Sequence, residues 1–184
     1  MSYCRFVQGL NPNEHSAHHH YHDAVYGFAV HEDNELFARM VLEINQAGLS
    51  WGVILNKWDD FYRAYAHFDI QTVAAFDEQD VARLLQDASI VRNRLKIAAA
   101  IFNAKQIMLL QQQCGSFKTW LDQHHPLPLA QWVKLFKQHF KFVGEQIVNE
   151  FLMSTGYLSG AHDVNCPIFR QALASEPPYA KGVK

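Results

Sequence analysis

The sequence predicts an all-α fold, and three observations carry that reading. Apolar residues recur at three- and four-residue steps from Asp33 onward. The segments so marked begin near capping residues and stop at glycines. No convincing alternation of apolar and polar residues is present. In order, Leu36, Phe37, Met40, Val41 and Ile44 mark a helix with Asp33 as its N-cap and Gly48 as its stop. Trp51, Ile54, Leu55, Trp58, Phe61, Tyr62 and Tyr65 form an aromatic stripe whose simplest role is core packing. A short helix follows around Gln71 to Phe76. Asp77 and Asp80 then frame a start with Val81, Leu84 and Leu85 as the buried face. After Asp87-Ala88-Ser89 a long helix runs from about Arg92 to Gln112 and breaks at Gly115. Ser116 caps a short helix to about Gln123, and Pro126 to Pro128 is a loop. Trp132, Val133, Leu135 and Phe136 mark another helix. The last runs from about Gly144 to Thr155 and closes at Gly156.

A chain of 184 residues suits one domain, taken as residues 1–170, with a loose tail over 171–184 that carries Pro177-Pro178. No apolar run of membrane-spanning length occurs. Met1 to Leu10 carries Arg5 but no apolar stretch of signal-peptide type, so the expected compartment is the cytoplasm. The formal charge of -2 lacks the basic excess of a protein that coats nucleic acid. DNA binding would have to rest on a local basic patch.

The three cysteines, Cys4, Cys114 and Cys166, are an odd set in a chain without an export signal, which argues against a disulfide framework. His162 and Cys166 stand four apart, a spacing that brings an imidazole and a thiolate to one ion on a helical turn or in a tight loop. Cys4 and His22 could complete a two-Cys, two-His tetrahedron suited to structural zinc, joining the two ends of the chain. Spacing alone does not separate that site from two unrelated buried cysteines and surface histidines. His22-Asp23 and His162-Asp163 also match the dipeptide of helical metal-dependent phosphohydrolases of the HD class, but no third His-Asp pair is present.

The segment Leu42-Glu43-Ile44-Asn45-Gln46-Ala47-Gly48-Leu49-Ser50-Trp51 resembles the Leu-Glu-x-x-Gln-Ala-Gly-Leu-Ser-Trp signature of the bacterial 3-methyladenine DNA glycosylase I family. Further blocks follow in the family's order. They are Tyr21-His22-Asp23 with Gly27, then Ile90 to Arg94 with Lys96-Ile97 and Asn103-Ala104, then Phe140 to Gly144, and finally His162-x-x-x-Cys166. Cys4 lies where the family has its first cysteine, so the resemblance runs from Cys4 to Cys166.

The resemblance implies a helix-hairpin-helix DNA glycosylase-like fold, with the hairpin helices at about residues 77–112. It implies a monofunctional enzyme that excises 3-methyladenine or a similar alkylated purine from double-stranded DNA and acts as a monomer. One structural zinc would be held by Cys4, His22, His162 and Cys166. Glu43 would read the edge of the flipped base, with Tyr21, Trp51 and Tyr26 as pocket walls. Burying an unpaired carboxylate is costly, so Glu43 among Val41, Leu42 and Ile44 is an independent sign of a site. Ser89, Ile90, Arg92 and Arg94 would meet the DNA backbone, with Lys96 adding local positive charge.

Several positions depart from the family pattern. Ser89 replaces a hairpin Gly, Tyr26 a Trp, His18 a pocket Tyr and Ile44 a small residue, and Leu129 to His139 is rewritten. A Ser at 89 would weaken the approach to phosphate if the turn needs positive φ. The rival reading is a zinc-stabilised DNA- or protein-binding module with this fold and no turnover.

Overall fold

The computed structural model describes residues 2–181. Those residues form α-helices and short 3₁₀ turns, with no strand among them. The helices are α1 (Tyr3–Gln8), α2 (Ser16–Ala24), α3 (Asp33–Gln46), α4 (Trp51–Leu55), α5 (Trp58–Ala64) and α6 (Ile70–Ala74). They continue as α7 (Glu78–Gln86), α8 (Arg94–Cys114), α9 (Phe117–His124), α10 (Leu129–His139), α11 (Glu145–Ser154) and α12 (Phe169–Ala174). No described helix is long and apolar enough to cross a membrane.

The central element is α3, whose residues Leu36 through Asn45 are all buried. It packs against α8, α9 and α11, so even its polar positions lie inside the protein. The aromatic stripe divides at Asn56-Lys57 into α4 and α5. Asp77 and Asp80 form the reciprocal capping box expected of them at the start of α7. Gly115 and Gly156 follow α8 and α11 at φ +91° and +77°, in the left-handed region that suits glycine.

Asp33 does not cap α3. The N-cap there is Glu32, which makes no side-chain capping bond. The Asp33 carboxylate instead accepts the backbone N–H groups of Phe117 and Lys118 at 2.8 and 2.9 Å, and the Gln111 side-chain amide at 2.8 Å. It caps α9, a helix more than eighty residues away in the chain.

The tail is ordered further than its composition suggests. Ala172 is buried on α12, and Ser175 Oγ accepts the Ala29 N–H. The Tyr179 N–H donates to the Gly156 carbonyl at 3.0 Å. Gly156 has no side chain, and Pro177 and Pro178 pack into the space a Cβ would take. Residues 182–184 of the expected loose tail lie outside the described residues.

Two N-terminal helices carried no periodic apolar signal. The six-residue α1 is capped by the Ser2 side chain. The histidine-rich α2 is held by what its inner face touches, which is the site.

Candidate active site and metal centre

A satellite cluster of Tyr21, Tyr26, Leu55 and Ala161 lies beside the main core, with Tyr3, Trp51, Trp58 and Met153 packed on it. It borders a cavity of about 850 Å³ formed where α1, α2, α3, α4 and α11 meet. Tyr21, Tyr26, Glu43 and Trp51, named from the sequence, all line this cavity. The Tyr21 and Trp51 rings meet edge to face with centroids 5.1 Å apart, and Tyr26 lies 5.5 Å from Tyr21. Such a wall presents electron-rich π-surface on more than one side.

Glu43 is only 6% exposed. Burial pushes its carboxyl up to about 8; the negative charge of Glu150 adds to the shift, while the Arg39 guanidinium opposes it. No hydrogen bond is among the influences that set it. Arg39, one turn earlier and also buried, bonds Glu35 through Nε at 2.6 Å. Its guanidinium stands 5.8 Å from the centre of the Tyr21 ring and 5.9 Å from that of Trp58. It therefore supports the outer face of the tyrosine wall, with its charge committed to Glu35.

Three cavity residues were missed in the sequence as contributors. Tyr3 hydrogen-bonds His18 Nδ1 at 2.9 Å, and its ring centre lies 5.4 Å from that of Tyr26. His18, noted only as a departure, lines the cavity with it. Glu150 accepts the Tyr26 hydroxyl through Oε2 at 3.1 Å. The available signals were slight: Tyr3 adjoins Cys4, and Glu150 interrupts the apolar run from Ile147 to Leu152.

Behind the aromatic wall, Cys4, His22, His162 and Cys166 are brought together, all buried, with one potential ligand atom from each lying within 4.8 Å of the others. His162 Nδ1 faces Cys4 Sγ at 3.6 Å and Cys166 Sγ at 3.9 Å, and His22 Nε2 faces Cys166 Sγ at 3.6 Å. The remaining ring nitrogens are engaged outward. His22 Nδ1 donates to Asp23 at 2.6 Å, and His162 Nε2 to the Tyr26 carbonyl at 2.7 Å. Such partners fix tautomer and ring orientation at a metal site. Of the two alternatives left by the His162–Cys166 spacing, the chain uses the tight loop, closed by a bond from the Cys166 N–H to the Asp163 carbonyl. The cluster joins α1, α2 and the segment after α11, and it could hold a metal ion.

The turn between α7 and α8 holds Ser89 and Ile90. Ser89 is not among the residues of positive φ, so the glycine replaced there is not required by backbone geometry in this chain. Its N–H and hydroxyl both donate to the Asp87 carboxylate. Lys57 Nζ donates to the Ser89 carbonyl at 2.7 Å and Arg63 to its hydroxyl at 3.1 Å. Ile90 is a core residue, and its N–H donates to the Asp87 carbonyl. Arg92 and Arg94 are exposed at the start of α8.

Lys96 is not part of that basic surface. It is 5% exposed, and its Nζ donates to the carbonyls of Asn45 and Ala47 at 2.8 and 2.7 Å. A cation at a helix C-terminus satisfies carbonyls that have no intrahelical partner, which is why this lysine turns inward. It ties the first turn of α8 to the end of α3, two residues beyond Glu43.

Residues 12–134 match the sequence model of the methyladenine glycosylase family. The chain is 34% identical over 165 residues to DNA-3-methyladenine glycosylase 1 of Escherichia coli K12, covering 79% of this chain and 88% of that one. It is 28% identical over 173 residues to the DNA-3-methyladenine glycosylase of Haemophilus influenzae, covering 84% and 93%. Among solved structures, 3-methyladenine DNA glycosylase I of Staphylococcus aureus superposes with a TM-score of 0.76 at 31% identity, covering 83% of this chain and 90% of that one. A tyrosine-to-phenylalanine variant of a 3-methyladenine DNA glycosylase I in complex with 3-methyladenine gives 0.80 at 30% identity, covering 91% and 97%. Sequence and backbone agree over nearly the whole length of these relatives, and the chain belongs to the methyladenine glycosylase family.

Proposed function

We infer that the protein is a DNA-3-methyladenine glycosylase of base-excision repair, which takes an alkylated purine out of double-stranded DNA and hydrolyses its bond to deoxyribose. The observation that carries the reading is the cavity, where one buried carboxyl group without a hydrogen-bond donor is walled by tyrosines and a tryptophan.

An adenine methylated on N3 is a cation, and its glycosidic bond is already weakened. When that bond breaks, its electron pair passes to the ring and the base leaves neutral. Water adds to the sugar carbon and releases a proton. The protein's task is to extrude, hold and orient the base. Tyr21, Trp51 and Tyr26 attract the cationic ring before the bond breaks. Glu43 accepts hydrogen bonds from the base edge. A positive ring beside it favours its ionised form, so ligand and carboxylate stabilise each other. No lysine lines the cavity, and we assign no strand cleavage to the enzyme.

On the DNA side we place the α7–α8 unit as the helix-hairpin-helix. Arg92 and Arg94 would neutralise phosphates, while Ser89 and Ile90, whose amides are engaged with Asp87, shape the turn that presents them. We assign one structural zinc to Cys4, His22, His162 and Cys166. Tetrahedral zinc with Zn–S near 2.3 Å and Zn–N near 2.05 Å separates adjacent S and N ligands by about 3.6 Å. The measured separations of 3.6, 3.6 and 3.9 Å support that assignment. Its role is to hold the tyrosine wall from behind. We place the enzyme in the cytoplasm, acting as a monomer.

Base release from methylated duplex DNA tests the function, with the freed bases separated chromatographically. Release of 3-methyladenine is the expected result. A folded, zinc-loaded sample in excess over lesions that releases no base would overturn the reading in favour of a binding-only module.

A further inference from the structure

Two carboxyl groups face the cavity. Glu43 comes from α3, and Glu150 comes from α11, outside every motif block of the sequence. Glu150 is partly buried, its Oε2 holds the Tyr26 hydroxyl at 3.1 Å, and its charge bears on Glu43. The Tyr26 hydroxyl and this second carboxyl group therefore form one unit in the cavity wall.

The charges around the cavity are unbalanced. Arg39 is the buried cation nearest Glu43 in sequence, and Glu35 already pairs with it at 2.6 Å. Among the described residues neither Glu43 nor Glu150 has a salt-bridge partner, and neighbouring carboxylates, one buried and one partly buried, resist ionising together. A neutral base entering this cavity does nothing to relieve them. A positively charged base is attracted by both and offsets part of their mutual repulsion.

We propose that Glu150 is a specificity-determining residue of the base pocket. Together with Glu43 it makes the cavity select a positively charged purine over a neutral ring of the same shape. The inference rests on reading the cavity as the base pocket.

The test uses ligands whose charge does not depend on pH over the range of the experiment. N,N′-Dimethylbenzimidazolium is a permanently charged flat bicycle of nearly purine size, and N-methylbenzimidazole is its neutral parent. Binding of each to the zinc-loaded enzyme is measured by quenching of tryptophan fluorescence. Wild-type protein should prefer the cation by about tenfold to a hundredfold, the range that one or two charges some 6 Å away supply in a partly screened site. Glu150→Gln should cut that preference at least severalfold, and Glu150→Ala, should the first variant fold poorly, should do the same. Tyr26→Phe removes the hydrogen bond but keeps both carboxyl groups, so the preference should persist.

A preference unchanged in both Glu150 variants overturns the proposal. So does an equal loss in Tyr26→Phe, which would reduce Glu150 to a support for the tyrosine. Failure of the wild type to prefer or to bind the cation overturns it as well. Base release by the wild type separates this failure from that of the function itself. An enzyme that frees 3-methyladenine without charge preference refutes only the role of Glu150.

Discussion

Glu43 is where sequence, burial and chemistry meet on one side chain. Its carboxyl is held near 8 against an ordinary 4.5, chiefly by burial. Between those values an unfolded chain has released the proton that the folded protein retains, so folding is progressively opposed as pH rises. The cost is absent below about pH 4.5, grows through the window and levels off above 8, at a total on the order of 5 kcal/mol. Glu43→Gln removes that titration. Its melting temperature should exceed that of wild type by more at pH 9 than at pH 5, read by thermal melts across pH. The same variant should lose base release by about a hundredfold or more while retaining its fold. Tyr21 from α2, Tyr26 just beyond it, Arg39 within α3 and Glu150 from α11 are the charged or titratable groups that act on or feel this carboxyl. Glu43 was legible in the sequence because a carboxylate in an apolar run calls for an explanation. Glu150 was not, since its own helix is amphipathic and a glutamate there reads as solvent-facing until Tyr26 is placed against it.

At the scale of elements, the helices are local and their partners are not. Asp77 and Asp80 cap the helix they begin, and that pairing is visible within four residues. Asp33 caps α9 instead, which no local pattern records. Asp33→Ala should therefore cost about 2 kcal/mol in urea unfolding, because two helix N–H groups and an amide lose their acceptor together. Gly27 sits at φ +80°, and a Cβ there would come within 2.5 Å of the Ala161 Cβ, next to His162. Gly27→Ala combines left-handed strain with that clash. It should destabilise by about 2–3 kcal/mol and weaken metal retention during dialysis against a chelator. Lys96 shows how local reading misleads. In the chain it belongs to a basic cluster with Arg92 and Arg94, but a helix places it on the inner face, where the open carbonyls at the end of α3 capture it.

For the molecule as a whole, the Cys and His cluster closes the chain on itself by joining α1 and α2 to the segment after α11. These are the parts with the fewest apolar anchors, so a metal bound there would contribute directly to folding free energy. The purified protein should contain one zinc per chain by elemental analysis. Cys166→Ser should lower the melting temperature by on the order of 10 °C, with base release falling because Tyr26 packs on His162 and accepts its ring N–H. A chain that melts identically with and without the metal would contradict a structural role. The tail belongs to this scale too. Its few apolar residues looked insufficient to order it, yet Pro177 and Pro178 fill the hollow over Gly156.

By itself the sequence determined the all-helical class, most helix positions from the third onward and the family, and it named the four Cys and His residues that the fold brings together and four of the residues that line the cavity. These are properties of periodicity, capping and motif order, which are written in neighbouring residues. Tertiary structure alone decided what the long-range contacts decide. It set the direction in which Lys96 and Asp33 face, the packing of α1, α2 and the tail, and the convergence of Tyr3, His18 and Glu150 on the cavity that Tyr21, Tyr26, Glu43 and Trp51 also line. The reason is physical. A helix fixes which side chains share a face, but only packing fixes what that face meets, and the energies of buried charges are settled there.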